Sequence, residues 1–136
     1  MARILVADDD LVQLDLRREL LESAGHEVAL AFSPHETLHQ LERGEPDVVL
    51  LDLRFPNQAG EPDAREGLEL IQRIRKHSAR VRVMVLSGWP DELVGQPEES
   101  MVSLVMVKPV RSEELLEAIA ALAGAFGPGQ NPPSVS

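Results

Sequence analysis

Four short apolar runs in this chain each end on a polar residue, and this restricts its fold more than any other feature. Residues 4–7 run into Asp8-Asp9-Asp10, 48–51 into Asp52, 81–86 into Ser87 and 104–107 into Lys108-Pro109. The runs are rich in Val, Ile and Leu with little polar alternation, as strands covered on both faces should be. Amphipathic stretches separate them, the pattern of parallel strands joined by crossover helices. A more polar run at 26–32 suits an edge strand. The expected class is therefore α/β, a doubly wound parallel sheet of five strands with helices on both faces. All strands of such a sheet point one way, so the residues that follow them collect at its carboxyl edge, where open α/β sheets bind ligands.

The segments between the runs carry helix signals of unequal strength. Val12, Leu16, Leu20 and Ala24 recur every four residues while Asp15, Arg17, Arg18 and Glu22 take other faces. This predicts a first helix buried along that apolar row and ended by Gly25. Ser33, Pro34 and Glu36 form a capping-box start for the second, with Gly44 placed to end it. A third helix is expected over 67–77 with Leu70, Ile71 and Ile74 inward, and a last one over 112–122 with Leu115, Ile119 and Leu122 inward. Residues 54–66 hold Pro56, Gly60 and Pro62 among polar residues and read as a long loop. Residues 88–100 should hold the fourth helix, yet Pro90, Gly95 and Pro97 leave room for a turn or two, so it is expected to be short, distorted or mobile. One domain over 1–123 is expected at this length, followed by a disordered Gly/Pro-rich tail or the start of a linker over 124–136.

Composition removes several function classes. The chain has no Cys, which excludes disulfides, thiolate metal sites and cysteine nucleophiles. No apolar run approaches the roughly 20 residues a membrane span needs, and the first residues lack the length and cleavage region of a signal peptide. A cytoplasmic address and no membrane partner are expected. Lys and Arg number 13 against 23 Asp and Glu, a formal charge of −10, which speaks against direct nucleic-acid binding because that depends on cations neutralising phosphates. His26, His35, His39 and His77 share no metal-ligand spacing and are read as surface residues.

The polar residues at the strand ends make a chemical set. Several carboxylates brought together repel one another unless protons or a cation intervene. Mg²⁺ is the simpler answer, being commonly held by one or two carboxylates together with phosphate oxygens. Lys108 adds a point charge suited to a phosphoryl oxygen, and the Ser87 hydroxyl can donate to another. A carboxylate can itself be the nucleophile, giving an aspartyl phosphate. The alternative for Asp8, Asp9 and Asp52 is ordinary loop aspartates that cap helices, as Asp9 or Asp10 could do for the first helix. Trp89 either covers core or lies at the rim of the pocket.

The residues 4–10, 47–56, 67–70, 85–88 and 107–109 resemble, in order and at strand ends, the receiver domain of bacterial two-component response regulators. The resemblance covers 3–123 and implies a flavodoxin-like sheet of strand order 2-1-3-4-5. It implies Asp52 as phosphoacceptor, with Ser87 and Lys108 on the phosphoryl group. Asp9 would be a direct Mg²⁺ ligand, Asp8 its partner acting mainly through water, and the Arg54 backbone carbonyl a further ligand, with Asp10 outside the site. A cis bond before Pro109 would aim Lys108 inward, and Gly88 would leave a path to the acyl phosphate. The phosphoryl donor would be a histidine kinase or histidine phosphotransfer protein, and a protein effector would read the result. The domain would be a signalling protein, monomeric or weakly dimeric, that catalyses only its own phosphoryl transfer and slow dephosphorylation.

Three departures from the family pattern stand out: a ten-residue excursion at 57–66, Val105 in place of the usual switch aromatic, and the broken fourth helix. They lead to the expectation of an atypical switch. Two other readings compete. A receiver-like interaction module that works without phosphorylation fits Val105 and the broken helix. A haloacid-dehalogenase-like phosphatase fits Asp8-x-Asp10, but it requires a later acidic motif that the residues after Lys108 do not supply and leaves Asp52 unexplained.

Overall fold

The computed structural model describes residues 2–124; of the tail expected at 124–136, Gly124 instead ends the last helix and the rest lies outside the described residues. A parallel sheet of five strands forms the centre: β1 (Arg3–Ala7), β2 (Glu27–Ala31), β3 (Val48–Asp52), β6 (Arg82–Ser87) and β7 (Leu104–Val107), in the order β2-β1-β3-β6-β7. Strands β4 (Phe55–Pro56) and β5 (Pro62–Asp63) form a separate two-residue antiparallel pair. Leaving that pair aside, the order is the expected 2-1-3-4-5.

The helices divide between the two faces of the sheet, which explains the unbroken apolar runs. Ile4, Val6, Val48, Leu50, Met84 and Leu86 point to one face, where Leu14 and Leu21 of α1 (Leu11–Ser23) and Leu115 and Ile119 of α4 (Ser112–Gly124) cover them. Leu5, Ala7, Val49, Leu51, Val83 and Val85 point to the other, against Leu41 of α2 (Pro34–Arg43) and Leu70, Ile71 and Ile74 of α3 (Ala64–His77). Alternate residues of one strand thus serve two cores, and no position can be polar.

Three expectations need correction. In α1 the row Val12, Leu16, Leu20, Ala24 is not the buried one: Val12 and Leu16 are 66% and 55% exposed, and Leu14, Arg17 and Leu21 are buried. At about 100° per residue a four-residue step drifts by about 40° each time, so a row of three such steps winds around the helix, whereas 14, 17 and 21 stay on one side. The third helix starts at Ala64, not 67, because Asp63 caps it by accepting the Arg65 N–H. Glu66 three residues after Asp63 completes the spacing of a capping box.

The expected loop at 54–66 is a small hairpin. The Asn57 N–H donates to the Glu61 carbonyl at 2.9 Å, and the Asn57 side-chain oxygen accepts the N–H groups of Ala59 and Glu61 at 2.9 and 3.1 Å. Gly60, at φ +78°, supplies the left-handed turn residue. The hairpin therefore delivers the chain straight into the capped start of α3.

Other local signals act as read. Ser33 Oγ accepts the Glu36 N–H at 3.1 Å, while Glu36 reaches back to the Phe32 N–H at 3.1 Å. The fourth helix is reduced to two 3-10 turns, Pro90–Glu92 and Pro97–Met101. Side chains of α3 hold this segment: Gln72 donates to buried Glu98, and Arg75 Nε donates to the Met101 carbonyl at 2.8 Å.

Candidate functional site

Register brings the polar strand ends together. Ala7 pairs with Leu51, Asp52 with Leu86 and Ser87 with Val107. Asp8, Asp52, Ser87 and Lys108 therefore stand at the carboxyl ends of four adjacent strands, Asp8 level with Asp52, Ser87 one residue beyond Asp52 and Lys108 one beyond Ser87.

Three of the expected acids meet. Asp8, Asp9 and Asp52 each place a carboxylate oxygen within 4.8 Å of the other two. Asp8 is buried, Asp52 half-buried and Asp9 exposed. Partial burial, reinforced by the negative charges of Asp8 and Asp52, raises the Asp9 pKa above the ordinary carboxylate value. Carboxylates crowded like this favour whatever relieves their repulsion, a proton or a cation. An all-oxygen set of this size suits a hard cation such as Mg²⁺, which keeps part of its water shell.

Lys108 Nζ donates to Asp52 Oδ2 at 2.7 Å, and the Arg54 N–H donates to Asp52 Oδ1 at 3.2 Å. The Lys108–Pro109 bond is cis, as expected. Ser87 is buried at the next strand end, its Oγ accepting the Trp89 N–H at 2.9 Å. Around a Cβ built on Gly88 there is no atom within 4 Å, so packing does not demand the glycine. Val105 is half-buried against the core beneath the 3-10 segment.

Asp10 is the helix cap, not a member of the cluster. Its Oδ1 accepts the Val12 and Gln13 N–H groups at 3.0 and 3.3 Å, opening α1. This removes the general acid that the phosphatase reading needs.

Two parts of the surroundings escaped the sequence reading. Arg17, assigned there to a polar face, is buried with its Nη1 2.6 Å from Asp8 Oδ2. Its place in the stripe of Leu14 and Leu21 was the available signal, and its charge concealed it, because Arg is rarely buried unless paired. The Arg54 side chain is the second. Its Nε and Nη2 donate to the two carboxylate oxygens of Glu92 at 2.9 and 3.1 Å, and its guanidinium carbon lies 3.5 Å from the centre of the Trp89 ring. Trp89, 56% exposed, is thus at the rim of the site and not in the core.

Comparison with known proteins gives one consistent answer. Residues 4–120 match the family model described as response regulator receiver domain. The virulence transcriptional regulatory protein PhoP of Salmonella typhimurium is 29% identical over 125 residues, covering 90% of this chain and 52% of PhoP. The chain thus spans about half the length of that relative. Among solved structures, a response regulator receiver domain protein from Clostridium thermocellum superposes with a TM-score of 0.78 at 27% identity, covering 91% of this chain and 95% of the other. TrrA of Thermotoga maritima, a response regulator protein solved in complex with Mg²⁺-BeF, gives 0.77 at 28% identity, covering 90% and 99%. No helix among the described residues is long and apolar enough to cross a membrane.

Proposed function

The chain belongs to the response regulator receiver domain family, and from that premise we propose that it takes a phosphoryl group on Asp52 and passes the signal on by protein–protein contact. A single arrangement carries this reading: Lys108 Nζ stands 2.7 Å from Asp52 Oδ2 while Asp8 and Asp9 bring their carboxylates within 4.8 Å of Asp52. Nucleophile, counter-charge and metal-binding acids are then side by side.

In the reaction a carboxylate oxygen of Asp52 forms a bond to phosphorus as the bond from phosphorus to the donor's leaving group breaks. Histidine kinases and histidine phosphotransfer proteins are the donors that fit, the leaving group being an imidazole nitrogen. Asp9, Asp8, Asp52 and the Arg54 carbonyl would hold Mg²⁺, which when bound supplies positive charge to the phosphoryl oxygens. Lys108 moves from Asp52 Oδ2 to a phosphoryl oxygen as charge migrates there. The Ser87 hydroxyl, whose oxygen accepts the Trp89 N–H, has its own proton free to donate to another. Phosphoryl transfer of this kind is mostly positioning and charge neutralisation, which these groups provide.

The output would be atypical. Val105 offers no aromatic ring to turn inward, and the 3-10 segment at 90–101 replaces the usual fourth helix. The cytoplasm is the compartment in which such donors work, and a protein effector would read the phosphorylated state.

Acetyl phosphate with Mg²⁺ tests the central claim. Intact-mass measurement is expected to show one labile phosphoryl addition, absent from Asp52→Asn. Stoichiometric labelling of Asp52→Asn overturns the assignment.

A further inference from the structure

Arg54 connects Asp52, through its backbone, with the stretch that follows Ser87, through its side chain. Its backbone N–H donates to Asp52 Oδ1, its guanidinium clasps Glu92 with two bonds and lies over Trp89, and the Trp89 backbone N–H donates to Ser87 Oγ. Asp52 and Ser87 are the groups assigned above to the phosphoryl group. Trp89 precedes and Glu92 ends the first 3-10 turn, and the second turn is fastened to α3 by Gln72 and Arg75. A guanidinium is a planar fork that suits a phosphoryl group as well as a carboxylate. The Arg54–Glu92 pair is only part-buried, with side-chain exposures of 29% and 28%, so no surrounding core prevents exchange of one anion for the other. Glu92 and Asp52 already act together on the Arg54 charge.

We propose that Arg54 is a second cationic ligand of the phosphoryl group, kept in reserve by Glu92 and Trp89. The inference rests on Asp52 being the phosphoacceptor. Phosphorylation replaces the single charge of the Asp52 carboxylate by about 1.5–2 negative charges on phosphoryl oxygens of the residue that Arg54 already touches through its backbone. The guanidinium then leaves Glu92 for a phosphoryl oxygen, Trp89 loses the cation stacked on its ring, and residues 90–101 lose their tie to the Asp52 loop. Arg54 thereby serves as a positioning residue for the bound group and as the link that reports it to the 3-10 segment. Such a route needs no aromatic at position 105.

Because the two anions compete for one cation, the variants have opposite effects. Beryllofluoride with Mg²⁺ is the probe, its binding followed by fluorine NMR and the environment of Trp89 by fluorescence. Wild type is expected to bind with a change in Trp89 emission. Glu92→Gln is expected to bind about fivefold more tightly and Arg54→Gln about fivefold more weakly, the scale of an ordinary coupling between sites, with the Trp89 response lost in Arg54→Gln. Equal affinity in either variant, or wild-type binding with silent Trp89, overturns the proposal while leaving Asp52 as the acceptor. Absence of bound fluoroberyllate in wild type overturns the phosphoacceptor reading and this inference with it.

Discussion

Arg17 Nη1 lies 2.6 Å from Asp8 Oδ2, and both side chains are buried. The same carboxylate accepts the Asp10 N–H through Oδ1 at 2.9 Å. The ion pair therefore holds the first strand-to-helix turn in the shape that presents Asp9 at the site. Removing one partner of a buried pair leaves an uncompensated charge, which costs about 3 kcal/mol. Arg17→Met is expected to lose that much in urea unfolding without Mg²⁺, and adding Asp8→Asn should recover part of it. A loss below about 1 kcal/mol would mean that solvent screens the pair.

Lys108 is bonded to Asp52, the proposed phosphoacceptor. Hydrogen bonds to charged groups contribute about 1.5–3 kcal/mol, so Lys108→Ala should weaken beryllofluoride binding about tenfold or more. Titration followed by fluorine NMR measures this directly. Unchanged affinity would remove Lys108 from the set of phosphoryl ligands.

Partial burial raises the Asp9 pKa, with Asp8 and Asp52 adding to the shift. An acid raised in the folded state contributes stability that is fully present below its unfolded value, about 4. That contribution is lost as pH rises through the folded value, so ionised Asp9 works against the metal-free fold at neutrality. Asp9→Asn is expected to raise the melting temperature of metal-free protein at neutral pH, with the gain vanishing below about pH 4. It should also abolish the further stabilisation expected from Mg²⁺ in the wild type. A melting temperature that still rises with Mg²⁺ in this variant would show that Asp9 is no ligand.

Gly67 sits inside α3 where a Cβ would lie 1.9 Å from the Leu53 carbonyl oxygen. The helix thus touches the backbone that directly follows Asp52. Gly67→Ala is expected to cost about 2–3 kcal/mol and to weaken Mg²⁺ binding, because relief of the clash moves Leu53 and with it Arg54. Gly88→Ala is the control, since open space surrounds it; its unfolding midpoint should not move. Equal stability of both variants would show that the close approach at Gly67 relaxes freely.

How much of this was legible beforehand differs between elements for physical reasons. The sheet strands were readable because a strand between two helical layers has no solvated face, and so its code is unbroken Val, Ile and Leu. The second helix was readable because Ser33 and Glu36 act locally. The 57–66 excursion was misread as loop because its hairpin is held by one Asn side chain and a two-residue strand pair, too short for any alternation. The α1 face was misread because its central buried residue is an arginine, whose partner Asp8 lies in the turn before the helix.

The sequence by itself determined the α/β class, the strand order through its resemblance, and the set Asp8, Asp9, Asp52, Ser87 and Lys108, since each residue is tied to the end of a strand. Only the tertiary structure decided which charges pair. Arg17 with Asp8 and Arg54 with Glu92 join residues 9 and 38 positions apart, and Coulombic and hydrogen-bonding partners depend on distance in space. Chain order carries no record of those distances until the sheet and its crossovers are in place.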